Sequence, residues 1–286
     1  MDQLKPGELI TALIESATQK TALRPIDLII RGALAGALLA VSSAFSTYAA
    51  IQTGMPIVGA LIFPVGLAMI VLLGLELVTG AFGIIPLGMH ARRVSTGSML
   101  SNWMYVFLGN LLGSVAFGVL LTLALTMSFH AEDKTGLAQK IVLVATAKTA
   151  AYEHAGIAGM LTVFVKAMLC NWLVCLGVIL GASSRSTFGK IAACWLPIVI
   201  FYALGFEHAV VNMYAIPTGM MLGAKVSFAQ WWLWNQIPVT IGNLVGGYLF
   251  TGAALYLTHA QRGATATATA PAASHETTLV PAPGIA

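Results

Sequence analysis

Glu207 and His208 stand side by side in GFEHAVVNMY, residues 205–214, within a stretch of the chain that is otherwise almost wholly apolar. An imidazole in such a place can donate a hydrogen bond, and with an ordinary pKa of about 6.5 it can also exchange a proton near neutral pH. A carboxylate there needs a partner, because a charge at mid-bilayer costs roughly 2.5–3.5 kcal/mol on insertion scales. A second glutamate, Glu76, opens the related stretch ELVTGAFGIIPLGM, residues 76–89, which also contains Thr79. Other chemistries lack their residues. Intramembrane enzyme chemistry would need an activated nucleophile or a metal, yet the chain has no HExxH, and the serine-rich GASSRS, residues 181–186, falls in a predicted loop. Cys170, Cys175 and Cys194 lie in apolar stretches without metal-ligand spacing, so they read as packing residues. No metal and no cofactor is expected.

The elements that must position these residues are membrane helices. Of 286 residues, 58% are hydrophobic and 8% charged, far from the soluble average of roughly a quarter charged. A net charge of +4 from 14 Lys and Arg leaves no patch that could follow a phosphate backbone, which excludes nucleic acid as a partner. At about 20 residues per span, six apolar segments are predicted, near 26–52, 57–89, 100–128, 157–182, 189–221 and 229–259. The second and fifth are too long for one simple crossing and carry Gly and Pro at mid-depth. Irregular backbone there is tolerated only where it is buried in protein or lines a wet cavity, so both breaks are candidate sites.

The basic residues set the orientation. With the N-terminus inside, Lys5, Lys20, Arg24, Arg31, Arg92, Arg93, Arg185, Lys190 and Arg262 face the cytoplasm, against Lys134, Lys140, Lys148 and Lys225 outside; both termini are therefore expected in the cytoplasm. Residues 1–25 form an N-terminal segment in which Leu9, Ile10, Leu13 and Ile14 share one helical face, suited to a membrane-surface helix or to a movable plug under a pore. Residues 26–260 form the membrane domain. Residues 261–286, rich in Ala, Thr and Pro, cannot bury a core and are expected to be disordered. The first 25 residues, with Asp2, Glu8 and Glu15 and no continuous apolar core, do not read as a cleavable signal.

The two interrupted segments resemble each other. Glu76–Met89 aligns without gaps on Glu207–Met220, EHAVVNMYAIPTGM, sharing Glu, Ile, Pro, Gly and Met. GNLLG (109–113) in the third segment answers GNLVG (242–246) in the sixth, and Arg31 five residues before Gly36 answers Lys166 five residues before Asn171. Three spans repeating as three spans must cross in opposite senses, the inverted plan of channels and transporters with a site near the midplane. In this register Glu76 and Glu207 are partners, placed where freed backbone N–H groups need an acceptor or a positive helix end needs a counter-charge. His208 is matched only by Leu77, which marks the histidine as the residue for chemistry.

These motifs together resemble the formate/nitrite transporter family of pentameric anion channels. ELVTG, GNLLGS, LCNWLVCLGV (169–178), GFEHAVVNMYAIPTGM and NQIPVTIGNLVGG (235–247) carry the likeness, in order, across residues 26–260. The resemblance implies an all-α, aquaporin-like fold of six transmembrane helices in an inverted 3+3 repeat with broken second and fifth helices. It further implies a homopentamer in a bacterial inner membrane, with a pore in each protomer for small monovalent anions such as formate, nitrite or hydrosulfide. By position it places the central pore histidine on His208, the loop threonine on Thr79 and the fourth-span asparagine on Asn171. Apolar constrictions fall at Phe63, Leu67, Leu77, Val78, Val174 and Phe201. Val78 departs from the aromatic residue often found there. The vestibular lysine maps to Lys148, with Lys166 as the competitor.

An anion crossing a dry apolar ring must lose its hydration. His208 is expected to help by donating a hydrogen bond or by lending a proton, with Thr79 as a second donor and the outer lysine concentrating anions at the mouth. A proton-coupled symporter would use the same residues with alternating access; single-channel current steps against slow saturable flux separate the two.

Overall fold

A computed structural model describes residues 3–260, and among them the chain is all-helical. The predicted tail, 261–286, lies outside the described residues. The first crossing is α2 (Pro25–Thr53). The second is split into α3 (Pro56–Ile62), α4 (Val65–Leu72) and α5 (Val78–His90), and the third is α6 (Thr96–Leu125). Two short helices, α7 (Leu137–Ala147) and α8 (Ala150–His154), lead into α9 (Gly156–Ser183). The fifth segment is split into α10 (Thr187–Ala203) and α11 (Ala209–Met221). The last crossing, α12 (Phe228–Ala260), contains three π-helical stretches. The breaks fall at Pro64, Gly74 and Gly205, whereas Pro86, Pro197 and Pro217 lie inside helices. Four of the helices are long and apolar enough to cross a membrane outright.

Small residues set how closely these helices approach. Gly109 and Gly113 on α6 lie against the carbonyls of Ile29 and Ala33 on α2, and Gly242 and Gly246 on α12 lie against those of Phe164 and Met168 on α9. A Cβ at Gly113 or Gly246 would overlap the facing backbone oxygen, and backbone cannot move aside as a side chain can. Without a hydrophobic drive between helices in lipid, this close backbone packing is what holds each pair together.

The N-terminal helix α1 (Pro6–Thr21) begins at Pro6 in the first helical position, with Glu8 accepting from the Lys5 N–H. Its predicted apolar stripe faces protein rather than a lipid surface. Ile10, Leu13 and Ala17 are buried in a cluster with Ile84, Ile85 and Leu87 of α5. Asn102 of α6 donates to the Lys20 carbonyl at 3.0 Å, tying the end of α1 down.

Replacing Gly113 or Gly246 by Leu should lower the thermal unfolding midpoint in mild detergent by several degrees and reduce yield, as overpacking against backbone costs about 1–3 kcal/mol. Wild-type melting in both variants would show that the paired helices are not held by this approach.

Candidate functional site

At each break a helix starts in mid-structure, leaving first-turn N–H groups without intrahelical acceptors. The Asn110 side chain meets this need for α5: its Oδ1 accepts from Val78 N at 3.0 Å while its Nδ2 donates to the carbonyls of Gly32 and Glu76 at 2.8 and 2.9 Å. Asn243 does the same for α11, accepting from Ala209 N at 2.9 Å and donating to the carbonyls of Ala167 and Glu207 at 2.8 and 2.9 Å. These are the asparagines of GNLLG and GNLVG, which the sequence marked as repeat signatures without a role.

The glutamates were expected either to serve those backbone donors or to answer a positive helix end, and the first of these roles falls to the asparagines. The Glu76 carboxylate accepts from Lys20 Nζ at 2.8 and 3.0 Å. Glu207 accepts from Lys148 Nζ at 2.7 Å, from the Tyr152 hydroxyl at 2.8 Å and from Asn212 Nδ2 at 2.8 Å. With the asparagines already on the backbone, each buried carboxylate is free to bind a lysine reaching in from α1 or from the end of α7. Lys20 and Tyr152 were not among the site residues read from sequence. Their contacts span 56 and 55 residues, and no local pattern announces them.

Lys148 is the lysine that reaches Glu207. It lines a cavity of about 150 Å³ together with Phe201 and His208, whereas Lys166 sits over the Tyr152 ring, 6.0 Å from its centroid. Lys148, expected to draw anions to the outer mouth, is paired with Glu207. A second cavity, of about 290 Å³, is lined by Lys20, Lys190, Leu77 and Gly80. Helix α10 runs from one cavity to the other, with Lys190 in the second and Phe201 in the first, about 16 Å of helix apart at 1.5 Å per residue.

Between the cavities, all six expected constriction residues, Phe63, Leu67, Leu77, Val78, Val174 and Phe201, are buried in one apolar cluster. The rings of Phe63 and Phe201 meet edge-on with centroids 5.7 Å apart, and Phe201 stacks on His208 at 5.8 Å. The two breaks bring His208 and Thr79 together here: Nε2 lies 3.1 Å from Thr79 Oγ1. His208 is also the N-cap of α11, its Nδ1 accepting from Val211 N at 3.2 Å. That bond assigns the tautomer. With Nδ1 as acceptor the proton sits on Nε2 and is donated to Thr79, which leaves the threonine's own hydroxyl proton to offer elsewhere. Asn171 is fully buried and acts one step back, donating to the Thr79 carbonyl at 3.0 Å and to that of Asn243 at 2.6 Å. Through the first of these bonds it positions the threonine.

Helices broken at depth, with a donor pair set in an apolar ring between two cavities, define a membrane channel or transporter. The profile of the formate/nitrite transporter family matches residues 7–257, and the chain belongs to that family. It is 39% identical over 202 residues to a probable formate transporter of Methanothermobacter thermautotrophicus, covering 69% of this chain and 73% of that one. Among solved structures, it resembles an FNT family ion channel with a TM-score of 0.75 at 26% identity, covering 87% of this chain and 98% of the other. It also resembles a pentameric formate channel with formate bound, with a TM-score of 0.65 at 28% identity, covering 82% and 96%.

Because the Glu207 side chain is 2% exposed and that of Lys148 19%, removing one partner strands the other. Lys148→Ala should cost about 3–5 kcal/mol, read as lost yield and a lower melting midpoint. The double variant Lys148→Met with Glu207→Gln should recover most of it. If Lys148→Ala melts like the wild type and only its flux at low salt falls, the lysine is an attracting charge after all.

Proposed function

We propose that the chain forms a homopentameric channel of the bacterial inner membrane in which each protomer conducts small monovalent anions of the formate type, with nitrite and hydrosulfide in the same class. The observation that carries this reading is the contact between His208 and Thr79 inside the apolar cluster. An anion pressed through that ring loses water on all sides and finds one hydroxyl proton, that of Thr79, held ready by the imidazole behind it. Formate is named in the descriptions of two of the similar proteins above, and pentameric assembly in one. The equivalent asparagine bonds and glycine contacts in the two halves support an inverted 3+3 repeat. The basic residues support both termini in the cytoplasm, with the Lys148 cavity outside.

The cap on α11 separates two ways in which the histidine can assist. A donor role leaves the Val211–Nδ1 bond intact. To lend a proton and end neutral, His208 must first carry one on each nitrogen, and a proton on Nδ1 would face the Val211 N–H. Proton lending therefore breaks the cap in every cycle, and hydrogen-bond donation is the favoured role.

The test is radiolabelled formate uptake into proteoliposomes from about pH 5 to pH 8, with native mass spectrometry of the same preparations. The wild type should take up formate and fly as a pentamer. His208→Asn, which keeps a donor but does not titrate, should retain the pentamer and the wild-type pH profile at reduced flux. A flattened profile would instead assign proton transfer to His208, and with it the proton-coupled reading; uptake of no small anion would overturn the channel reading.

A further inference from the structure

The wall of the cavity on the Lys148 side includes a residue whose donor the passage described so far does not use. Tyr214, on α11 six residues beyond His208, lines it together with Ser43 and Thr47 of α2. The tyrosine is 1% exposed, and its hydroxyl is buried without a hydrogen-bond partner among the described residues. Leaving such a group unpaired costs about 1–3 kcal/mol. Nothing in the packing of the ring requires the oxygen: Tyr214 belongs to an apolar cluster with Ala40, Ala44 and Ile141, and its ring lies 5.9 Å from that of Phe117. A phenylalanine would satisfy those neighbours better.

The other donors in this cavity are partly committed. Lys148 spends one N–H on Glu207, whose carboxylate offsets its charge, and the Thr47 hydroxyl donates to the Ser43 carbonyl at 2.8 Å. An anion arriving here therefore meets little net charge, and what can hold it is hydrogen-bond donation.

We propose that the Tyr214 hydroxyl is the principal donor of an outer subsite for a small monovalent oxyanion, where the anion is held before it passes Phe201 to reach His208 and Thr79. The proposal rests on the small-anion reading above. A carboxylate-type anion offers two oxygens, so it can accept from Tyr214 and from a second donor, the Ser43 hydroxyl or a remaining N–H of Lys148, at the same time. A cavity of about 150 Å³ admits three heavy atoms with accompanying water. Held there, the anion exchanges part of its hydration shell for protein donors before entering the dry ring, so that desolvation is divided into two smaller steps.

The test uses the full-length chain and Tyr214→Phe, which removes one oxygen and keeps the ring. In proteoliposomes, the half-saturating formate concentration should rise about tenfold in the variant, the loss expected for one hydrogen bond to a charged ligand. In detergent, sodium formate, against sodium chloride at equal concentration, should raise the melting temperature of the wild type and not that of the variant. Without formate, the variant should melt at or above the wild type. Wild-type half-saturation together with wild-type formate stabilisation in Tyr214→Phe overturns the subsite. A lower melting temperature without formate also overturns it, by giving the hydroxyl a structural role, as does a wild type that formate fails to stabilise. If formate stabilises the wild type and not the variant while no formate crosses the bilayer, the subsite stands and the transport reading falls.

Discussion

Helices that start in the middle of a membrane leave backbone N–H groups where water cannot take them, and the rest of this structure is arranged around that debt. Asn110 and Asn243 discharge it in the same way, each accepting from the first N–H of a half-helix and donating to carbonyls on two other segments. An amide suits the task because it carries acceptor and donors a short distance apart and no charge. Three elements are pinned by one side chain in each half. Close backbone approach at the neighbouring glycines lets a side chain as short as asparagine reach all of them.

Once the backbone is satisfied, the buried carboxylates can serve another purpose. Glu76 and Glu207 each hold a lysine delivered by a helix outside the main crossings, so the polar ends of α1 and α7 are fastened to the breaks. The pairing also sets the electrostatics of the two cavities. A lysine whose charge is answered 2.7 Å away supplies donors and a short-range gradient rather than a long-range field. On the proposed reading, anion passage depends on hydrogen bonds placed along the route, with charge in a supporting part.

The apolar cluster between the cavities gives those donors their effect. Phe63, Phe201 and Leu67 exclude water, and in a dry surrounding an unsolvated anion gains far more from a hydroxyl than it would in bulk. Holding Thr79 by its carbonyl through Asn171 and by its hydroxyl through His208 fixes where that gain is available. On the proposed reading, the residues that keep the passage shut to water also make it selective for a species that can shed water.

The sequence by itself determined the class of the protein and the location of its chemistry. Hydrophobic runs of membrane length, interrupted by Gly and Pro in two of them, are local facts, and so is the likeness of Glu76–Met89 to Glu207–Met220. From these alone the breaks and His208 were legible; Thr79 and the constriction residues followed only from the resemblance to the family. What each polar residue touches was not legible. The glutamates were read as backbone acceptors or counter-charges to a helix end, Lys148 as a charge drawing anions to the mouth, and Asn110, Asn243, Lys20 and Tyr152 had no role. Apart from Asn212, five residues from Glu207, these contacts join residues 32 or more positions apart, as close as Asn110 to Val78 and as far as Asn110 to Gly32 at 78. Hydrophobic periodicity is written into neighbouring residues because each helix must bury or expose its own face. A polar partner is chosen by whichever group the folded backbone brings within 3 Å, and only the tertiary structure decides that.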